Sequence, residues 1–144
     1  MPPAASPLLL CPLCRGELLA AGPGSVPALS CPQGHRYDAA KQGYFNLLTG
    51  SGTKFQADTA EMVQARVDFL SAGHYQPMAA TLARLIAGSV PSAPTILDAG
   101  AGTGYYLDVV NRALPAAEAV ALDISKFALR RAARALPAAT CLVW

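Results

Sequence analysis

Apolar positions along the chain fall into two regimes. Through residue 57 they come singly or in short groups among Gly, Pro and Cys; beyond it they form continuous runs separated by amphipathic stretches. The clearest run, Thr95-Ile-Leu-Asp98, follows Pro94 and reads as a buried parallel strand, since a strand covered on both faces needs no polar alternation. It breaks into Gly100, Gly102 and Gly104 and resumes at Tyr105-Tyr-Leu107 as a helix. Ala119-Val-Ala-Leu-Asp123 is a second strand ending in an acid, 25 residues after Asp98, and Thr140-Cys-Leu-Val-Trp144 begins a third. Asp58 or Thr59 caps a helix whose apolar stripe is Met62, Ala65, Val67, Phe69 and Leu70, with Gly73 near its end. A second helix runs from Met78 to Ala87. A third, Lys126 to Arg134, sets Lys126, Arg130 and Arg134 at i,i+4 spacing, with Phe127, Ala128, Leu129 and Ala132 on the opposite side. Those cations either meet phosphates or form a solvated face.

Three glycines after the first strand let the backbone bend sharply and let a ligand lie directly on it. Their spacing chooses the ligand. A dinucleotide loop needs G-x-G-x-x-G, but Tyr105 stands where the last glycine belongs, and the run from Asp98 reads D-x-G-x-G-x-G. That is the pattern of Rossmann-like S-adenosylmethionine-dependent methyltransferases. Asp123 suits the ribose hydroxyls of such a cofactor, the duty of the acid in nucleotide-binding βαβ units generally.

The first segment carries different chemistry. Cys11-Pro-Leu-Cys14, a spacer of sixteen residues and Cys31-Pro-Gln-Gly-His35 give C-x2-C and C-x3-H, the spacing of a closed tetrahedral zinc site. The spacer holds Gly16, Gly22, Pro23, Gly24 and Pro27 and fits a hairpin with a loose tip. A segment so rich in Gly and Pro buries little apolar surface, and metal supplies the missing folding free energy. The fourth cysteine, Cys141, lies in an apolar run and reads as a core residue.

With 144 residues, 53% hydrophobic and 14% charged, the chain is globular in composition and has room for one domain or two small ones. No apolar run reaches the ~20 residues of a membrane span, and the start, Met1-Pro-Pro-Ala-Ala-Ser-Pro7, lacks a basic signal-peptide region, so a cytoplasmic location is expected. The net charge of +2 sits entirely in residues 1–57, where Arg15, Arg36, Lys41 and Lys54 face Glu17 and Asp38. That excess lies beside Tyr37, Tyr44 and Phe45, which either stack on unpaired bases or complete a small zinc-stapled core. His74 reads as structural, and Tyr75 as either a core aromatic or part of a cofactor pocket.

Together, Cys11-Pro-Leu-Cys14, Cys31-Pro-Gln-x-His35, Lys41-x-Gly-Tyr-x-Asn-Leu-Leu48, Ala60-Glu-Met-x-Gln-Ala-Arg66, Ala72-Gly-His-Tyr-Gln-Pro77, Leu97-Asp-x-Gly-x-Gly-x-Gly-Tyr-Tyr106 and Leu122-Asp-x-Ser-Lys126 resemble the RlmA family of bacterial 23S rRNA guanine-N1 methyltransferases. The resemblance implies zinc on Cys11, Cys14, Cys31 and His35 in an RNA-recognising domain. It also implies S-adenosylmethionine contacts at Tyr75, Gly102 and Thr103; Asp98, Gly100, Gly104 and Asp123 fit the general methyltransferase pattern. The expected fold is α/β: a small zinc-ribbon-like domain (1–50), a linker (51–58) and the first part of a Rossmann-like domain (59–144). A complete domain of that kind has about seven strands, so the chain reads as the N-terminal half of such an enzyme, inactive alone, with 23S rRNA as substrate and a homodimer as the whole protein's state. A base must take the proton from guanine N1, and no residue is assigned to it. Two other functions fit the same motifs: a small-molecule methyltransferase stabilised by zinc, and a non-catalytic zinc and RNA-binding module.

Overall fold

A computed structural model describes residues 8–21, 24, 26–50 and 54–144. The chain's first seven residues, the spacer's Gly22 and Pro23, and residues 51–53 of the expected linker lie outside the described set. Three short strands, β1 (Leu19–Ala20), β2 (Ala28–Ser30) and β3 (Arg36–Asp38), form an antiparallel ribbon in the order β1-β2-β3. The expected hairpin is the β1/β2 pair, with Leu19 opposite Ser30.

Strand β4 (Tyr44–Asn46) leaves this ribbon and joins a second sheet. There follow α1 (Ala60–Ser71), α2 (Gln76–Ala87), β5 (Thr95–Ala99), α3 (Tyr105–Ala113), β6 (Glu118–Asp123), α4 (Lys126–Ala135) and β7 (Thr140–Val143). The second sheet is parallel, ordered β4-β7-β6-β5, with Phe45 beside Leu142, Ala121 beside Cys141 and Leu97 beside Val120. A strand from the metal-binding segment therefore extends the sheet that carries the glycine loop.

Alternation along these strands sorts their side chains onto two faces. Tyr44, Ala119, Ala121, Cys141 and Val143 pack under Leu107 of α3 and Leu129, Ala132 and Ala133 of α4. Phe45, Val120 and Leu142 point the other way, onto Cys11, Leu18, Leu29 and Cys31 of the ribbon. The ribbon does for one face what helices do for the other. Tyr44 and Phe45 are 7% and 3% exposed, so neither ring is available to stack on a base. Cys141 is fully buried, and burial raises its thiol to about 11.

Three expectations about burial need correction. Among the described residues β5 is an edge strand paired only with β6, and Leu97 is 61% exposed; the face covered is that of Ile96, which packs against α2 and α3. The inward line of α1 is Val63 with Val67 and Leu70, whereas Met62 and Phe69 face outward. Thr59 is the cap, accepting from Met62 N at 3.3 Å, and Asp58 instead pairs with Arg66 at 2.8 Å. Phe127 is likewise not packed opposite the cations of α4 but is partly exposed, with the Arg130 guanidinium 5.2 Å above its ring. Among the described residues no helix is long and apolar enough to cross a membrane.

Because Phe45 joins the ribbon's core to the sheet, Phe45→Ala is expected to cost about 3–5 kcal/mol, in the range for large core truncations. Urea denaturation of the zinc-loaded chain checks this; a loss within experimental error would show that the shared core contributes little.

Candidate metal centre and cofactor loop

The two knuckles that carry the metal ligands are built by backbone turns. Cys11 N donates to Gly16 O and Arg15 N to Cys11 O, each at 2.8 Å, and Arg15 takes a left-handed φ of 60° to close the first. In the second, Cys31 N donates to His35 O and Gly34 N to Cys31 O, both at 3.0 Å, with Gly34 at φ 86°. The turns aim Cys11, Cys14, Cys31 and His35 at one point, and their ligand atoms all lie within 4.8 Å of one another. Cys14 and Cys31 sulfurs are 3.5 Å apart, and His35 Nδ1 is 3.5 Å from Cys11 and 3.4 Å from Cys31. Bonds of about 2.0–2.3 Å to a tetrahedral Zn2+ require edges of roughly 3.5–3.8 Å, so the four donors fit zinc with small adjustment. Cys11, Cys14 and Cys31 are free thiols, with no disulfide among them.

The cluster's electrostatics favour a cation. Burial opposes a thiolate at Cys11, but the Tyr37 hydroxyl and the backbone N–H groups of Cys14 and Leu13 outweigh it and bring this thiol down to about 6. At Cys14 the Gly16 N–H favours the thiolate, yet burial and the neighbouring Cys31 and Cys11 prevail and raise it. A divalent ion removes that conflict, because it stabilises every thiolate at once.

The glycine loop lies at the carboxyl ends of β5 and β6. Gly100 and Gly102 have φ of 80° and 56°, and a Cβ on either would meet open space. Gly104 differs: a Cβ there would sit 2.8 Å from Leu136 Cδ1 and 3.3 Å from Ala132 Cβ, so its bareness lets α3 start hard against α4. Asp123 is held on both oxygens. Oδ2 accepts from Gly102 N and Oδ1 from Ser125 N, each at 2.8 Å, while the Ser125 hydroxyl caps α4 by accepting from Ala128 N. This carboxylate fastens the loop to the start of α4, a duty the sequence pattern did not show. A carboxylate oxygen has two acceptor sites, so capacity for a ligand hydroxyl remains.

Asp98 is half-buried at the end of β5, and burial together with the nearby Asp123 raises its carboxyl above the ordinary value. Tyr75 precedes α2 and is 40% exposed, edge-on to Phe69 at 5.6 Å, with His74 against the same ring. On α3, burial and then the phenols of Tyr75 and Tyr105 raise Tyr106 above its ordinary value. Thr103 and Gly104 line a cavity of about 430 Å3 with Val67, Leu70, Asp108 and Arg131. A second, of about 520 Å3, opens between the exit of the ribbon and the head of α4, lined by Asn46, Phe55, Ile124, Lys126 and Phe127. Gly100, Gly102, Asp98 and Asp123 thus cluster at one end of the sheet, and Cys11, Cys14, Cys31 and His35 form a separate centre on the ribbon side of the sheet.

Residues 9–50 match the family model of the RlmA N-terminal zinc ribbon. The chain is 47% identical over 161 aligned residues to a protein of Micromonospora griseorubida named, provisionally, a 23S rRNA (guanine-N(1)-)-methyltransferase; the match covers 100% of this chain and 54% of that protein. It is 45% identical over 139 residues to the 23S rRNA (guanine(748)-N(1))-methyltransferase of Streptomyces fradiae, covering 94% of this chain and 47% of that one. A Bacillus subtilis protein with a provisional name of the same kind is 33% identical over 132 residues, covering 87% and 45%. The chain spans about half the length of these curated relatives. The matched residues 9–50 hold the β1–β3 sheet with its two knuckles and strand β4, and the glycine loop that Asp123 fastens lies outside them.

The raised Asp98 carboxyl makes a pH prediction. Its protonated form favours the folded state, so this contribution is full below the ordinary value of 3.8 and is lost as pH rises through the higher folded value. Asp98→Asn is therefore expected to stabilise the ligand-free chain at neutral pH and to lose that advantage in acid. Thermal melts at the two pH values test it, and equal effects at both would refute the origin in charge burial.

Proposed function

We propose that this chain supplies the zinc ribbon and the first part of the cofactor sheet of an S-adenosylmethionine-dependent 23S rRNA guanine-N1 methyltransferase. The observation that carries the reading is the relatives' names, at 45–47% identity across nearly the whole chain, joined in this chain to a glycine loop open to a ligand and a convergent Cys/His cluster. In this reading Cys11, Cys14, Cys31 and His35 hold Zn2+, and Tyr75, Asp98, Gly100, Gly102, Thr103, Gly104 and Asp123 form the cofactor site. The functional division runs 1–50, 51–58 and 59–144, with β4 crossing it into the common sheet, and the whole protein works in the cytoplasm as a homodimer.

S-adenosylmethionine supplies an activated methyl group on a sulfonium centre, so the protein's work is binding, alignment and exclusion of water. The bare backbone at Gly100 and Gly102 lets the cofactor lie close to the strand ends, and Asp123, fixed through Gly102 and Ser125, accepts from its ribose hydroxyls. Tyr75, just before α2, offers a flat, partly exposed ring. Asp98 gains a partner when a donor or a positive charge enters, which relieves its burial. No described residue is assigned the proton on guanine N1.

For RNA, the zinc segment's buried Tyr44 and Phe45 offer nothing, but α4 does. Lys126, Arg130, Arg131 and Arg134 are exposed and none forms an ion pair with a described residue, although Arg131 bonds to Gln64. Arg130 also lies over Phe127, and stacked guanidinium and aromatic groups are common platforms for unpaired bases.

Titration calorimetry with S-adenosylmethionine, paired with fluorescence polarisation of a labelled 23S rRNA hairpin, tests the reading. Saturable cofactor binding is expected, weakened about tenfold in Tyr75→Ala by the loss of a stacking face. RNA affinity is expected to fall with salt, and Arg130→Ala/Arg134→Ala to flatten that slope by about 0.7 per lost phosphate contact. Cofactor binding without RNA affinity would favour a small-molecule methyltransferase; RNA binding without cofactor affinity would favour a non-catalytic module.

A further inference from the structure

Tyr37 is neither a free stacking surface nor simple core filling. Its place on β3 opposite Leu29 turns its ring onto the cluster formed by Cys11, Leu18, Leu29 and Cys31, and its hydroxyl lies 3.4 Å from Cys11 Sγ. Among the described residues it is the one side chain outside the four ligands with a hydrogen bond to any of their sulfurs.

Charge gives this contact a purpose. Three thiolates and a neutral imidazole on Zn2+ leave one net negative charge, and Cys11, Leu18, Leu29 and Phe45 around it are buried. A buried charge without donors is costly, and sulfur bound to metal keeps lone pairs able to accept. Backbone N–H groups of the knuckles meet part of that need. A metal-bound thiolate has no proton, so in the pair with Tyr37 only the phenol can donate.

We propose that the Tyr37 hydroxyl donates a hydrogen bond to the zinc-bound Cys11 thiolate, and that this positioning residue sets how tightly the ribbon holds its metal. The proposal rests on the zinc reading above. It assigns Tyr37 to metal retention and predicts that its removal is felt at the metal before it is felt in the fold, because Tyr37→Phe keeps the ring and removes only the donor.

The test uses the 144-residue chain purified with zinc. Competition against a chromophoric chelator should show zinc held about tenfold less tightly in Tyr37→Phe, the lower end of the range for lost outer hydrogen bonds to metal ligands. In the cobalt-substituted proteins the thiolate-to-metal charge-transfer band should move to lower energy in the variant, since a sulfur that loses its donor is more electron-rich. A role in packing alone would not move that band. Equal affinity and superimposable cobalt spectra would overturn the proposal while leaving the zinc reading intact. A wild-type chain that takes up no zinc would overturn both. Should Tyr37→Phe not fold, NMR of wild-type protein loaded with NMR-active cadmium decides: a slowly exchanging Tyr37 hydroxyl proton coupled to the metal is expected, and a Tyr37 hydroxyl that exchanges with solvent without such coupling refutes it.

Discussion

A parallel sheet needs cover on both of its faces, and in this chain one of the covers is a ribbon whose Cys11, Cys14, Cys31 and His35 converge as a candidate metal centre. Helices α3 and α4 shield the side of Ala119, Ala121, Cys141 and Val143. The opposite side, Val120 and Leu142, rests on Leu18, Leu29 and the ligand cysteines Cys11 and Cys31, with Phe45 of β4 bridging the two. Ribbon strands of two or three residues cannot hold that position by their own hydrogen bonds. What fixes them is the convergence of four ligands, so the hydrophobic free energy available at Val120, Leu142 and Phe45, about 1.5–3 kcal/mol for each fully buried side chain, depends on the metal site's geometry.

The same coupling explains how the cofactor loop is held. β6 lies between β7 and β5, and its last residue, Asp123, ties Gly102 to Ser125, while Leu122 O accepts from Gly100 and Ala101 N. Loop position is therefore set by the strand whose underside the ribbon covers. Gly104 then lets α3 begin against Ala132 and Leu136, which joins the loop to the other layer. A disturbance of either cover reaches the loop through one strand.

Local features were legible in the sequence because local chemistry writes them. Four metal ligands at knuckle spacing, three glycines after an apolar run and an acid at the next strand's end each require particular residues at particular separations. The pairing of β4 was not legible: Tyr44-Phe-Asn46 is three residues whose partner, Cys141-Leu-Val143, lies 97 residues further along the chain. Nor was the exposure of Met62, Phe69 and Leu97, since apolar periodicity shows that a face is suited to burial and not what covers it. Asp123 was legible as an acid in the right place, but its backbone partners depend on how two loops meet. Tyr37 looked ambiguous for the same reason: an aromatic on a three-residue strand is defined by its neighbour, and that neighbour is a cysteine 26 residues earlier.

The central claim is that the metal-bound ribbon supports the cofactor sheet. Hydrogen exchange of backbone amides in β6 and β7, measured on the zinc-loaded chain before and after chelation, tests it most directly. The account predicts that stripping zinc lowers protection in both strands, Val120 and Leu142 included, along with the loss of β1 to β3. If protection of β6 and β7 stayed unchanged while the ribbon alone unfolded, the two layers would be energetically independent and the account would be contradicted.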